Sequence, residues 1–250
     1  MNAPKPVLYI FAISHYCEKA RWALDYLGID YDLQHVAPGE HGQIAKKLGA
    51  PGTSVPYLSV GGKIVQGSAD IIDWADGTTS SPEKRLTPDA NLDECLQIEK
   101  RVDDIAGVHV RRFYYSEAMV EFPKTVRPMF TRDLPLMKKL KISMAWGKIR
   151  EIMIARMDLG TEQGQESRKI TEGELDWIDK LLSDGGKFLV GDKFSRADMT
   201  VASLLSPLAL PAEHPTYNKI KHPPRMAADV SRWDQRPSIR WVRDIYAQYR

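Results

Sequence analysis

The sequence predicts an α+β protein in which a small sheet-containing region precedes an all-helical one. The apolar run Val7 to Ile13 has the length of a strand, and a helical period of apolar residues begins at Cys17. The polar segment Gly77 to Pro82 is rich in residues that break regular structure, which predicts a boundary. Beyond it, apolar residues recur at helical spacing.

The first region alternates strands and helices. We expect a strand over Val7 to Ile13 that is buried on both faces, because almost every residue is apolar. Helical spacing predicts a helix from about Tyr16 to Leu27, with Cys17 on its buried stripe. A second strand is expected over Ile29 to Val36 and a short helix around Gln43 to Leu48.

A hairpin completes the predicted sheet. Tyr57 to Val60 and Lys63 to Gln66 flank a two-glycine turn, and we expect Ser68 to cap a helix that runs to about Ala75. The resulting order, β-α-β-α-β-β-α, is that of a thioredoxin-like layer. Pro56 opens a strand, where its missing N–H costs no ladder bond. Base rates alone favour a trans Val55–Pro56 bond.

The second region reads as helices only. Its first helix is expected to be long, with Leu92, Leu96, Val102 and Ile105 facing inward. A capping box is predicted between Ser195 and Asp198. The expected helices cover Asp89 to Met119, Leu136 to Asp158, Ile170 to Ser183, Val201 to Leu210 and Ser238 to Tyr249.

Composition excludes several classes of function. A net charge of +2 over 250 residues gives no reason to expect a nucleic-acid partner. The two cysteines, Cys17 and Cys95, are far apart and form no metal-ligand motif, so we expect neither a disulfide framework nor a metal, and a cytoplasmic setting. No apolar run is long enough to predict a membrane span, and residues Met1 to Pro6 do not predict a leader peptide.

Four motifs in a fixed order resemble the cytosolic glutathione transferase superfamily. They are Ser14-His15-Tyr16-Cys17-Glu18-Lys19-Ala20-Arg21-Trp22-Ala23-Leu24, Thr53-Ser54-Val55-Pro56-Tyr57-Leu58, Gly67-Ser68-Ala69-Asp70-Ile71-Ile72 and Phe194-Ser195-Arg196-Ala197-Asp198. The resemblance implies a thioredoxin-like N-terminal domain, an all-α C-terminal domain and a cis Val55–Pro56 bond. It also implies glutathione as co-substrate, a small hydrophobic electrophile as second substrate, and a homodimer.

The resemblance also assigns roles to residues. Ser14 matches the serine of the S-x-x-C pattern, whose hydroxyl donates a hydrogen bond to the glutathione sulfur. Val55, next to Pro56, would hold the cysteinyl backbone, and Ser68 at a helix start would take the γ-glutamyl carboxylate. Gly67 stands where the family usually has an acidic residue that pairs with the γ-glutamyl ammonium.

Two further residues, Tyr16 and His41, have alternatives that the sequence leaves open. Tyr16 faces either the glutathione site or solvent. His41, in the loop after the second strand, is a candidate for the glycyl carboxylate, and the other histidines are expected to be surface or structural residues.

The sequence is compatible with three functions. The first is a transferase that conjugates the glutathione thiolate to a hydrophobic electrophile. The second is a non-catalytic glutathione-transferase-like binding or scaffold protein, since Gly67 removes an acidic contact. The third is a glutathione-dependent thiol oxidoreductase that uses Cys17. The place of Cys17 on the buried stripe of its helix counts against this function.

We expect domains at residues 1–78 and 88–250, with an enlarged segment around 120–167 that covers the cleft between them.

Overall fold

The sheet lies in the first third of the chain. A computed structural model describes residues 5–219 and 221–250, so residues 1–4 of the predicted first domain lie outside the described part. The strands within these residues form one four-stranded mixed sheet in the order β2-β1-β3-β4. They are β1 (Val7–Ile10), β2 (Asp32–His35), β3 (Tyr57–Val60) and β4 (Lys63–Gln66).

Strand directions are those of a thioredoxin-like sheet. β1 pairs parallel with β2 and antiparallel with β3, and β3 forms an antiparallel hairpin with β4. Two details of β1 differ from expectation. β1 ends at Ile10, and its burial alternates: Leu8 and Ile10 are buried, whereas Val7 and Tyr9 are half-buried. The prediction of a strand buried on both faces is therefore wrong, because the face of β1 that carries Val7 and Tyr9 stays partly exposed.

Three helices accompany the sheet: α1 (His15–Tyr26), α2 (Glu40–Lys47) and α3 (Ser68–Thr78). The buried stripe of α1 is as predicted, with Cys17, Ala20 and Leu24 fully buried. α3 begins one residue earlier than expected, so Ser68 is its first residue and Gly67 is the cap. Gly67 has φ 103°, a conformation that favours glycine.

The rest of the described chain is helical. The helices are α4 (Leu92–Arg101), α5 (Gly107–Tyr115), α6 (Pro123–Thr131), α7 (Leu136–Met157), α8 (Thr161–Leu181), α9 (Arg196–Ala209), α10 (Pro224–Trp233) and α11 (Pro237–Tyr249). None of the helices in the described residues is long and apolar enough to cross a membrane. The predicted capping box at the start of α9 is present, with the Ser195 N–H donating to Asp198 Oδ2 at 2.9 Å.

The first long helix is continuous but not regular. α4 and α5 are joined by a π-helical turn, Val102–Ala106, which widens the helix there. Leu92, Leu96 and Ile105 were predicted to face inward, yet they are 39%, 37% and 36% exposed. That prediction is wrong for these three residues and confirmed for Val102, which is fully buried. The inward face of α4 carries Cys95, Ile98 and Glu99, and Glu99 is engaged in ion pairs inside the protein.

A buried cluster of charges joins the sheet region to the helical region. Lys19 of α1 is fully buried, and its ammonium lies 2.8 Å from Glu99 of α4 and 2.7 Å from Asp103. Glu99 also pairs with Arg196 of α9 at 2.6 Å, and Arg196 reaches Asp73 of α3 at 2.5 Å. These pairs bring α1 and α3 together with α4 and α9 in one arrangement.

We expect Lys19→Met to lower the free energy of unfolding by about 3 kcal/mol or more, because it leaves Glu99 and Asp103 under-compensated inside the protein. Urea unfolding followed by circular dichroism measures this change. Lys100→Met is the matched control, because Lys100 pairs with Asp104 on the surface of the same helical segment and surface pairs contribute little. Equal destabilisation by the two variants would contradict the assignment.

Candidate functional site

A cleft of about 550 Å³ lies between the start of α1, the loop before β3 and the wall formed by α5, α6 and α7. Its volume suits a ligand of small-molecule size. The residues lining it are Phe11, Ser14, His15, Tyr16, Pro38, Gly39, His41, Gly42, Gln43, Lys46, Thr53, Ser54, Val55, Arg111, Tyr115, Phe130, Ile149, Ile152, Met153, Arg156 and Met157.

Ser14 stands at the N-terminus of α1 and lines the cleft. Its backbone is extended (φ −83°, ψ 118°), as expected of an N-cap, and its Oγ accepts the Cys17 N–H at 3.3 Å. A hydroxyl that accepts a bond in this way keeps its own proton to donate. The positive end of the helix dipole also lies here. The local structure thus offers an anion both a hydroxyl donor and a favourable field.

Val55 lines the same cleft, and the Val55–Pro56 bond is cis. The cis geometry agrees with the expectation from the family and overturns the base-rate expectation of trans. Gly67 donates its N–H to Pro56 O at 3.1 Å, which holds the start of α3 beside this loop. Ser68 is buried (6% exposed) and lies outside the cleft lining.

Gln66 organises the loop on which Val55 lies. Its Oε1 accepts the Gly52 N–H at 2.7 Å, and its Nε2 donates to Ser54 O at 2.7 Å. Both ends of the amide are thereby used within the loop. The acidic side chain that the family pattern has at Gly67 is missing from that position, and the carboxylate beside it comes from Asp70, whose Oδ2 would lie 3.9 Å from a Cβ at Gly67.

Tyr16 lines the cleft and also contacts the helical region. Its hydroxyl donates to Asp103 O at 2.6 Å, and burial raises its pKa, so the phenol stays protonated. Gly107 permits this approach, because a Cβ there would lie 2.6 Å from the Tyr16 hydroxyl oxygen. Beside it, His15 is buried and its Nε2 bonds to Gly107 O at 3.0 Å. Burial lowers the pKa of His15 to about 3, so its imidazole is neutral.

Aromatic and aliphatic side chains form the opposite wall. Phe130 lies edge-on to Phe11 with ring centroids 5.9 Å apart, and it lies 5.8 Å from Tyr115. Ile149 and Met153 of α7 extend this wall. The helical segment that sequence reasoning placed over the cleft therefore supplies part of its apolar lining.

Cys17 is in the core rather than in the cleft. Its side chain is fully buried, and burial raises the pKa of its thiol to about 12. Thiolates are the reactive form, so this environment suppresses nucleophilic and redox chemistry. Cys95 is also buried and unpaired, and burial raises its thiol pKa as well.

Three cations in the cleft were not found by sequence reasoning: Lys46, Arg111 and Arg156. No local sequence motif identifies these cations as site residues. Arg111, for example, belongs to α5, whose other residues are mostly apolar and buried. His41, a weaker candidate, does line the cleft; its Nδ1 accepts the Gly39 N–H at 3.1 Å, and burial lowers its pKa. Across residues 5–219 and 221–250, no group of three or more His, Cys, Asp or Glu side chains is placed to hold a metal ion.

Family models match both regions of the chain. Residues 8–83 match the N-terminal domain of glutathione S-transferase, and residues 154–241 match the C-terminal domain. The chain belongs to the glutathione transferase superfamily. Its fold is the thioredoxin-like plus all-α fold of that superfamily.

Solved structures share this fold. A glutathione transferase from Phanerochaete chrysosporium is similar over 100% of this chain and 98% of its own, with 17% identity and a TM-score of 0.64. The β-etherase LigF from a Sphingobium species is 20% identical, with a TM-score of 0.58 over 96% of this chain and 99% of that one. A Methylobacterium radiotolerans glutathione S-transferase, in complex with glutathione sulfonate, is 19% identical, with a TM-score of 0.56 over 95% and 93%. No curated protein sequence matches the chain.

We expect neither Cys17 nor Cys95 to react with iodoacetamide in the folded protein at pH 8, because both thiols are buried and protonated. Mass spectrometry should find both alkylated only after unfolding in urea. Cys17→Ala and Cys95→Ala identify which thiol any label occupies. Rapid labelling of Cys17 in the folded protein would contradict its place in the core.

Proposed function

We propose that this protein conjugates the thiolate of glutathione to an electrophile with a largely apolar body. The observation that carries the proposal is the Ser14 hydroxyl, which caps α1, retains its proton and lines the cleft together with Val55. Membership of the glutathione transferase superfamily supports glutathione as the co-substrate.

Glutathione would lie across the start of α1 and the cis Val55–Pro56 loop. The Val55 backbone would pair with the cysteinyl unit of the peptide. The γ-glutamyl end would lie at the N-terminus of α3, where Gly67 and Ser68 begin the helix and free N–H groups favour a carboxylate. Tyr16 would lie beside the peptide and keep the start of α1 in place through its bond to Asp103.

The reaction needs a thiolate and a shielded electrophile. In our proposal the thiol loses its proton to solvent, and Ser14 donates its O–H to the resulting sulfur anion, which lowers the thiol pKa. The sulfur then attacks the electrophilic carbon. A carbon–sulfur bond forms while the leaving group departs with its electron pair. Phe11, Phe130 and Tyr115 would hold the electrophile against the sulfur.

We expect Ser14→Ala to reduce kcat/KM for conjugation about 10- to 100-fold, since it removes one hydrogen bond to an anion. Without that donor, the pKa of bound glutathione rises, so the pH profile of kcat/KM moves to higher pH. Stopped-flow absorbance of the thiolate and steady-state rates with an aryl halide measure the two effects. Cys17→Ala should leave both unchanged.

Two further variants separate chemistry from helix capping. Ser14→Thr keeps the cap and the hydroxyl, and activity should be largely retained. Ser14→Asp keeps a strong cap but places a carboxylate beside the sulfur, so stability should persist while activity falls. Wild-type activity in Ser14→Ala would exclude the proposed role.

A binding or scaffold protein is the second candidate function, favoured by Gly67 in place of an acidic residue. Calorimetry with millimolar glutathione distinguishes it from the transferase. Binding with turnover supports conjugation. Binding without turnover, or no binding at all, supports the scaffold.

We also propose a homodimer in which the outer face of α4 is covered by a second copy. Leu92 and Leu96 lie one turn apart on this face and are exposed, and Ile105, further along the chain, is exposed as well.

Two buried, unpaired cysteines support a reducing, cytoplasmic setting. We propose domain boundaries at residues 78 and 88, with an enlarged segment at 120–167.

Sedimentation velocity should find a dimer at micromolar concentration, and Leu96→Asp should shift it toward monomer because it buries a charge in the interface. Leu140→Asp is the control, since Leu140 is 55% exposed on α7, a different helix. A wild-type monomer, or equal effects of the two variants, would contradict this interface.

A further inference from the structure

The charges that line the cleft all have one sign. Lys46, Arg111 and Arg156 are cations, and none of the lining residues named above is Asp or Glu. Uncompensated cations in a partly enclosed space favour an anionic ligand. Glutathione itself brings anionic groups, so some of these cations would pair with glutathione.

Two of the cations lie on the side of the cleft that carries His41, the candidate for the glycyl carboxylate. Lys46 belongs to α2, as does His41. Arg156 of α7 acts on the same end, because its charge, after burial, helps to lower the pKa of His41. With the γ-glutamyl end at α3 and the sulfur at Ser14, an extended peptide directs its glycyl carboxylate toward α2. Lys46 and Arg156 would therefore pair with the glycyl carboxylate of glutathione.

Arg111 is not assigned to any group of glutathione. It forms no ion pair or hydrogen bond with any described residue, and its Nε is buried without an acceptor. Its guanidinium carbon lies 5.8 Å from the centre of the Tyr16 ring, on the helical side of the cleft. The next residue, Arg112, is saturated by Asp158 and Glu166. One arginine of the pair is thus used by the fold, and the other faces the cleft with its hydrogen-bonding capacity unused.

We propose that the second substrate is an anion, a carboxylate or sulfonate on an aromatic body, and that Arg111 pairs with its anionic group. The inference rests on the proposed function. Tyr115 and Phe130 would pack against the aromatic body. The planar guanidinium would take the oxyanion through two parallel hydrogen bonds, a geometry that arginine favours.

A matched pair of electrophiles tests the proposal: para-chloro-meta-nitrobenzoate and the corresponding primary amide. They differ in charge but hardly in shape. Each enzymatic kcat/KM is divided by the rate constant of the uncatalysed reaction with glutathione thiolate, which removes their different reactivities. Wild type should prefer the carboxylate, and Arg111→Gln should lower its normalised rate about tenfold or more while changing the amide little.

Arg112→Gln is the control on the same helix, and it should leave the ratio of the two rates unchanged even if it lowers stability. Arg111→Lys keeps the positive charge but cannot form the two parallel hydrogen bonds, so it should retain part of the preference for the carboxylate. The two product conjugates provide a readout without turnover. By calorimetry, the carboxylate conjugate should bind wild type about tenfold or more tighter than the amide conjugate.

Several outcomes would overturn the proposal. Conjugation of both electrophiles with no normalised preference for the carboxylate would refute the anionic substrate and leave the transferase intact. Equal slowing of both by Arg111→Gln, together with a raised pKa of bound glutathione, would assign Arg111 to the sulfur instead. Absence of turnover would refute the proposed function, and equal affinities of the two conjugates would still refute the role of Arg111.

Discussion

The buried charge cluster around Lys19 is the interaction on which the rest of the structure depends. Its ammonium belongs to α1, and its partners Glu99 and Asp103 belong to the helical region. A buried ion without partners costs several kcal/mol, so these charges favour the one arrangement of the two regions in which they meet. The cleft takes one wall from each region. Its shape and its lining therefore follow from this docking.

The start of α1 shows how a structural role and a proposed chemical role coexist in one side chain. A hydroxyl both accepts and donates, so Ser14 satisfies the Cys17 N–H and still has a proton for a sulfur anion. Tyr16, two residues on, ties the same turn to Asp103. The helix start is thus held from within and from the helical region, which gives the hydroxyl a defined position at the cleft.

Much of the fold could be predicted because its signals are short in range. The helical stripe through Cys17 predicted the buried face of α1, and the capping box of Ser195 and Asp198 predicted the start of α9. The outward face of α4 could not be predicted from hydrophobicity. Apolar spacing placed Leu92 and Leu96 inside, but the buried face carries Cys95, Ile98 and Glu99, whose carboxylate is paired there with Lys19 and Arg196.

For the candidate site, the motifs around Ser14 and Val55 were visible in the sequence, and the cations were not. Arg111 and Arg112 are adjacent and chemically identical, yet only the fold gives carboxylate partners to Arg112 and leaves Arg111 facing the cleft. By itself, the sequence determined the order of strands and helices in the sheet region and the cap of α9, because these depend on neighbours within a few residues. The tertiary structure alone decided which distant side chains share the cleft and which charges remain unpaired, because both depend on how the two regions dock.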